Sequence, residues 1–201
     1  MKKSLLFILM LSFSFAVSAQ KMKVKSGDFD FFAGQKEINV EFVYDNMKLF
    51  NDNLTNEEYM QKRSDDLEKD SRGKGKAWEK KWLSSREFIF EPKFLEVLNR
   101  YAHEDGLHFA KNLSDTPYTL IVETVWLYPG WNVAIMRSGA KVTTLLTFVE
   151  TANRDNILLQ ITSEDAPGKS YGGTFSNEDR LGEGYAKTGK SLGKMIRKKA
   201  Y

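Results

Sequence analysis

The stretch Tyr118–Tyr128, YTLIVETVWLY, decides the fold. Side chains alternate along a strand, so Tyr118, Leu120, Val122, Thr124, Trp126 and Tyr128 share one face when the segment is extended. Ile121, Val125 and Leu127 make the other face largely apolar, interrupted by Thr119 and Glu123. A strand apolar on both sides belongs in the centre of a sheet or beneath two covering layers. Pro129-Gly130 follows and suits a type II turn, with glycine where φ must be positive. Trp131–Met136 then reads as the antiparallel return.

Two more strands are expected downstream, Lys141–Glu150 and Asn156–Thr162, joined by the polar turn Thr151–Asp155 as a hairpin. Pro167–Gly173 is a glycine-rich loop without the spacing of a dinucleotide fingerprint. Glu178–Lys199 has helical periodicity, with Leu181, Tyr185, Leu192, Met195 and Ile196 on its buried side. Gly182, Ala186, Gly189 and Gly193 form a stripe of small residues beside them. A mid-helix glycine costs up to about 1 kcal/mol against alanine. The stripe therefore predicts close approach of this helix to the sheet. Lys187, Lys190, Lys194 and Lys198 face water, and their charge suits the helix C-terminus.

Upstream, Ile38, Val40, Phe42 and Tyr44 alternate with Glu37, Asn39 and Glu41, which marks the first clear strand. Before it, Lys21–Lys25 is a mobile terminus or an edge strand, and Asp28–Phe32 is a short aromatic segment ending in the turn Ala33-Gly34. Leu54–Tyr59 is a helix start. Thr55 and Glu58 have capping-box spacing, and Leu54 and Tyr59 occupy the staple positions. The helix that follows, to about Asp70, is polar and is expected outside the core. Ser71–Gly75 reads as a flexible basic link. Lys76–Tyr101 is helical again, broken or kinked at Pro92. The four-residue spacing of Trp78 and Trp82 is explained by packing, and predicts that they clamp this helix on the sheet. His103–Asp115 reads as a connection. The fold class is α+β: a two-layer sandwich with a mostly antiparallel sheet, a helical insertion over about 55–101 and a C-terminal helix packed on the sheet.

Residues 1–19 read as a secretory signal peptide. Lys2 and Lys3 are followed by the apolar run Leu5–Ala16 and by small residues at Val17-Ser18-Ala19. Residues 20–201 then form one domain, and about 180 residues suit a single core. The expected location is periplasmic or extracellular. The chain has no cysteine, which excludes disulfides, thiolate sites and an acylated cysteine. Lys and Arg total 30 against 27 Asp and Glu, and removing Lys2 and Lys3 with the leader brings the balance close to neutral. A general nucleic-acid binder needs a clear positive excess.

Four segments carry a family resemblance: GDFDF at Gly27–Phe31, KEINVEFVY at Lys36–Tyr44, YTLIVETVWLYPGWNV at Tyr118–Val133 and GEGYAKTGKSLG at Gly182–Gly193. On these the chain resembles a group of uncharacterised exported proteins of Bacteroidetes-type bacteria. Its layout is also similar to TolB amino-terminal-like and periplasmic lipoprotein-like domains, though without their acylated cysteine. The resemblance implies export and an α+β fold. It carries over no catalytic residue.

Catalytic chemistry has little footing in the residues. His103 and His108 are the only histidines, and their spacing matches neither a metalloprotease nor a finger. No serine lies in a nucleophile-elbow pattern. The carboxylate pairs Asp65/Asp66, Glu57/Glu58 and Glu178/Asp179 lie on polar helical surfaces. No catalytic, cofactor or metal residue is assigned. The reading is a binding or assembly module whose partner is an envelope protein, a glycan or a lipid surface. The candidate interaction residues are Trp126, Tyr128 and Trp131 in the aromatic turn, and Lys187, Lys190 and Lys194 on the last helix. Packing of Trp126 against Trp131 across the hairpin is the competing explanation for the first group. The alternatives are a hydrolase with an unrecognised site, or a membrane-surface protein using the basic helix.

Overall fold

The computed structural model describes residues 20–133, 136–168 and 176–201. The segment read as a signal peptide and most of the glycine-rich loop lie outside these. The elements run β1 (Lys21–Gly27), β2 (Glu37–Val43), β3 (Lys48–Leu49), α1 (Asn56–Asp70), α2 (Lys74–Ser85), α3 (Glu91–Ala102), β4 (His108–Ala110), β5 (Tyr118–Tyr128), β6 (Trp131–Val133), β7 (Met136–Ser138), β8 (Lys141–Glu150), β9 (Ile157–Pro167) and α4 (Asn177–Lys199). The fold is α+β, with helices inserted between β2 and β5 and α4 packed on the sheet.

The sheet is mixed. Its order is β1-β9-β8-β5-β2-β4, with β3 also pairing β5. β1/β9, β9/β8 and β8/β5 are antiparallel, whereas β2/β5, β2/β4 and β3/β5 are parallel. This corrects the mostly antiparallel expectation. Parallel neighbours need a crossover of a dozen or more residues, and the helical insertion supplies one. β4 lies within the segment read as a connection. At three residues it is too short to show a period.

β5 is central, but its two faces are not simple alternates. A β-bulge between Thr124 and Trp126 leaves Val125 unpaired with β8. The extra residue reverses the alternation beyond it. Leu120, Val122 and Thr124 are buried, and after the bulge the buried residue is Leu127. Trp126 and Tyr128, expected on the same face as Leu120, leave that row and are half-buried. Val125 is 41% exposed. Pro129-Gly130 turns the chain with Gly130 at φ +72°. The antiparallel partner of β5 is β8, and β6 and β7 form a separate two-stranded ribbon between them.

The core lies between the sheet and the α3/α4 layer. It contains Leu120, Val122, Leu146, Phe148 and Ile161 from the strands and Phe94, Leu98, Leu181, Tyr185, Leu192 and Ile196 from the helices. The small-residue stripe of α4 meets α3 and not the sheet. A Cβ at Gly189 would strike the Phe94 carbonyl oxygen, and one at Gly193 would lie 2.7 Å from Tyr101 Cβ. Gly184, outside that stripe, is the glycine held against Val142 and Ala166 of the sheet. The second sheet face carries half-exposed Ile121, Glu123, Leu145, Thr147, Gln160 and Thr162. Its polar alternation lets it stand in water.

Helix α1 starts at Thr55 with both arms of the capping box formed. It is polar as expected, but Tyr59 is only 4% exposed and enters the core. The link after it is fixed by Glu68, whose carboxylate accepts from the Gly73, Gly75 and Lys76 backbone N–H groups. α2 runs into α3 through a π-helical turn, Arg86–Phe90. There the Glu91 N–H reaches back to the Arg86 carbonyl, one residue further than in an α-helix. The wider turn sits immediately before Pro92, where the ladder lacks a donor, so the helix continues across a residue expected to interrupt it.

Candidate functional site

Tyr59 of α1 and Trp78 of α2 line one wall of a cleft, and Trp82 packs against both. Tyr59 meets Trp78 and Trp82 edge to face, at centroid distances of 5.5 and 5.1 Å. Trp78 and Trp82 stack at 5.8 Å. Trp82 is 1% exposed, reaches Phe90 and donates from Nε1 to Asn56 Oδ1 at 3.0 Å. The two tryptophans therefore hold α2 to α1 and to the start of α4, not to the sheet as their spacing suggested. Helical spacing identifies a shared face but not what covers it.

The second wall comes from the ends of β3 and β5. Phe50 has φ +57°, donates its N–H to the Leu127 carbonyl and accepts Trp126 Nε1 at 2.8 Å. Its ring meets Tyr59 at 5.5 Å and Tyr128 at 5.6 Å. Trp126 stacks on Tyr128 at 5.9 Å, so it supports the wall from behind. Trp131 follows the Gly130 turn and is 40% exposed at the mouth. A side chain at position 130 would strike the backbone of Ser138 and Ala140, so the turn that aims Trp131 depends on glycine.

These walls enclose a cleft of about 580 Å³ lined by Phe50, Tyr59, Trp78 and Trp131 with Arg63, Lys81, Glu178 and Arg180. A lobe of about 360 Å³ continues from it past Tyr128, Lys62 and Asp52, sharing Phe50, Tyr59, Arg63 and Trp131. Both volumes fall in the usual range for small-ligand sites, roughly 300–1,000 Å³.

The start of α4 forms the floor. Ser176 and Asp179 close a capping box. Glu178 is buried, and both its oxygens are engaged: Oε1 accepts Trp78 Nε1 at 3.0 Å and Oε2 pairs with Lys81 at 3.3 Å. Burial acts to raise the Glu178 carboxyl. Hydrogen bonds from Ser176 and from its own backbone N–H, with the Lys81 charge, outweigh burial and hold it below its ordinary value. A glutamate lowered on folding stabilises above its unfolded pKa and loses that contribution as pH falls through the folded value. Glu178→Gln is therefore expected to flatten the acid limb of a melting-temperature profile taken from about pH 6 to pH 3. Parallel acid limbs for the variant and the parent would refute this role.

The Tyr59 hydroxyl is pushed up to about 12, chiefly by burial. Arg63 is exposed on α1, and among the described residues no carboxylate lies within ion-pairing distance of it.

Tyr128 and Trp131 thus share the cleft, with Trp126 behind them. Lys187, Lys190 and Lys194 lie further along α4, away from its cleft end. Lys190 and Lys194 sit over the Tyr101 ring at 5.8 and 5.6 Å, and Lys187 is half-buried. His103 ends up in the turn after α3 and His108 on β4. No group of three potential metal ligands occurs among the described residues, and no described helix is long and apolar enough to cross a membrane. Sequence reading missed Phe50, Tyr59, Arg63 and Lys81 as cleft residues. The one available signal was Tyr59 in the staple position, which ties it to the start of α1.

The fold and cleft define a mixed-sheet α+β protein with an aromatic, cation-rimmed groove. No family model matches the chain, and no curated protein matches it. Among solved structures it is similar to the PelC dodecamer from Paraburkholderia phytofirmans, at 10% identity over 87% of this chain and 97% of that one, with a TM-score of 0.36. A variant of the same protein in another crystal form gives 10% and a TM-score of 0.37 over the same shares. A hemagglutinin homolog from Helicobacter pylori is 13% identical over 80% of this chain and 88% of that one, with a TM-score of 0.27.

Proposed function

We propose that the protein is an exported binding module and that the aromatic cleft is its site, with a glycan as the ligand. The observation that carries this reading is Trp131, 40% exposed over a cleft whose other rings, Phe50, Tyr59 and Trp78, are held by one another. An aromatic face carries partial negative charge and attracts the polarised C–H face of a pyranose ring. A fixed ring also loses little side-chain entropy on binding, which suits recognition without large rearrangement. The carboxylate inside the cleft, Glu178, is committed to Trp78 and Lys81 and supports a structural part rather than acid–base chemistry.

Residues 20–201 probed on an array of neutral and acidic bacterial envelope glycans are expected to bind a subset of them. Trp131→Ala is expected to weaken that binding at least tenfold, with a smaller fall in melting temperature than truncation of the buried Trp82. Undiminished binding by the variant would reject the cleft as the site.

A further inference from the structure

We infer that the ligand of this cleft is a carboxylated sugar, a uronic-acid type of residue whose ring lies on Trp131 and whose carboxylate meets Arg63. The inference rests on the binding-module reading above and specifies its ligand.

The charge inside the cleft points this way. The larger chamber is lined by Arg63, Lys81 and Arg180 against one carboxylate, Glu178. Glu178 is 2% exposed and pairs with Lys81, so these two charges largely offset each other and the excess that remains in the chamber is the two arginines. Asp66, in the adjoining lobe, pairs with Lys69 at 3.1 Å. Asp52 is the remaining acid of that lobe, which is also lined by the cations Lys62 and Arg63. Arg63 is thus the exposed cation common to both chambers, beside the exposed ring of Trp131.

A guanidinium presents a planar fork of donors that matches a carboxylate in two parallel hydrogen bonds. An uncommitted guanidinium beside an exposed indole suits a ligand with a ring face and a single planar anion on the same residue. A densely sulfated polymer would call for a broad basic surface. Here the excess is small, and the acids Asp52 and Asp66 stand within the same lobe. The Tyr59 hydroxyl, protonated at neutral pH like any tyrosine, can donate from the cleft wall to a ring or carboxyl oxygen.

The test uses residues 20–201 and three pairs of oligosaccharides: oligogalacturonate and its methyl ester, oligoglucuronate and its carboxyl-reduced form, and oligomannuronate and its carboxyl-reduced form. A sulfated, carboxylate-free oligosaccharide is added. Titration calorimetry at low and moderate salt is the readout. At least one acid is expected to bind tenfold or more tightly than its neutral counterpart, and Arg63→Gln is expected to remove that preference. The control Arg72→Gln, an exposed arginine beyond the cleft, should leave it intact. If the acid and neutral forms bind equally, and binding still needs Trp131, the carboxylate inference fails and the cleft reading stands. If the sulfated probe outcompetes every carboxylate, the inference also fails. If none of the probes binds and the glycan array is blank, both readings fail.

Discussion

Alanine in place of Gly189 is expected to destabilise the protein by about 2 kcal/mol, within the range of overpacking penalties. Helix propensity alone predicts the opposite sign, a gain of up to about 1 kcal/mol for replacing a mid-helix glycine. Packing wins because of what the new methyl would meet. A Cβ at position 189 would press on the Phe94 carbonyl oxygen and lie 3.2 Å from the Leu98 amide nitrogen. Both are backbone atoms inside α3 and cannot swing aside. α3 and α4 form the helix layer over the sheet, with Phe94, Leu98, Leu192 and Ile196 all essentially buried. Separating them loosens the whole layer. Gly182→Ala is the matched comparison. Its Cβ would meet the side-chain atoms Ile89 Cγ2 at 2.7 Å and Lys93 Cδ at 2.8 Å. Lys93 can rotate away, at the expense of its ion pair with Glu183, so a smaller loss is expected there. Urea denaturation of the two variants checks the ranking. A Gly189→Ala protein as stable as the parent would show that α3 and α4 are not so closely apposed.

Trp82→Ala is expected to cost more, about 3–5 kcal/mol, as is usual for truncating a buried aromatic residue. The side chain is 1% exposed and contacts three aromatic neighbours, Tyr59, Trp78 and Phe90. Its removal also takes one of two donors from Asn56 Oδ1, the other being Arg86 at 3.1 Å. At a few degrees per kcal/mol for a chain of this size, the melting temperature should fall by about 10 °C. Because Tyr59 and Trp78 line the cleft and lean on Trp82, ligand affinity should fall with stability. Trp131→Ala is expected to separate the two effects. A stability loss below about 1 kcal/mol for Trp82→Ala would place the tryptophan pair outside the core.

Some parts of the molecule were legible residue by residue. The capping box at Thr55 and Glu58 formed as spaced, because both of its hydrogen bonds are made within four residues. β8 has the expected bounds, since ten residues of alternation on a half-covered sheet are hard to misread. The last helix runs from Asn177 to Lys199, with Leu181, Tyr185, Leu192 and Ile196 buried as its period indicated. Elsewhere a correct local signal acquired the wrong partner. The glycine stripe did mean close packing, but with α3. The tryptophan pair did mean packing, but with Tyr59 and the start of α4.

The turn at Pro129-Gly130 was readable from its two residues, and Gly130 has the required positive φ. The bulge at Val125 was not, because every residue of YTLIVETVWLY fits a strand and nothing in the run marks where pairing slips. The cleft was legible only in fragments. Tyr128 and Trp131 stood out as aromatic, whereas Phe50, Tyr59, Arg63 and Lys81 come from separate segments and reach one place only through the β2–β5 crossover.

The sequence by itself therefore determined where the helices and long strands lie, the cap at the start of α1 and the buried side of α4. Those features follow from interactions a few residues in range. The tertiary structure alone decided that β2 and β3 lie parallel to β5, that the small residues of α4 face α3, and that five separate segments close one cleft. Each of these depends on which apolar surface finds which, and a residue's local preference is the same whichever neighbour covers it.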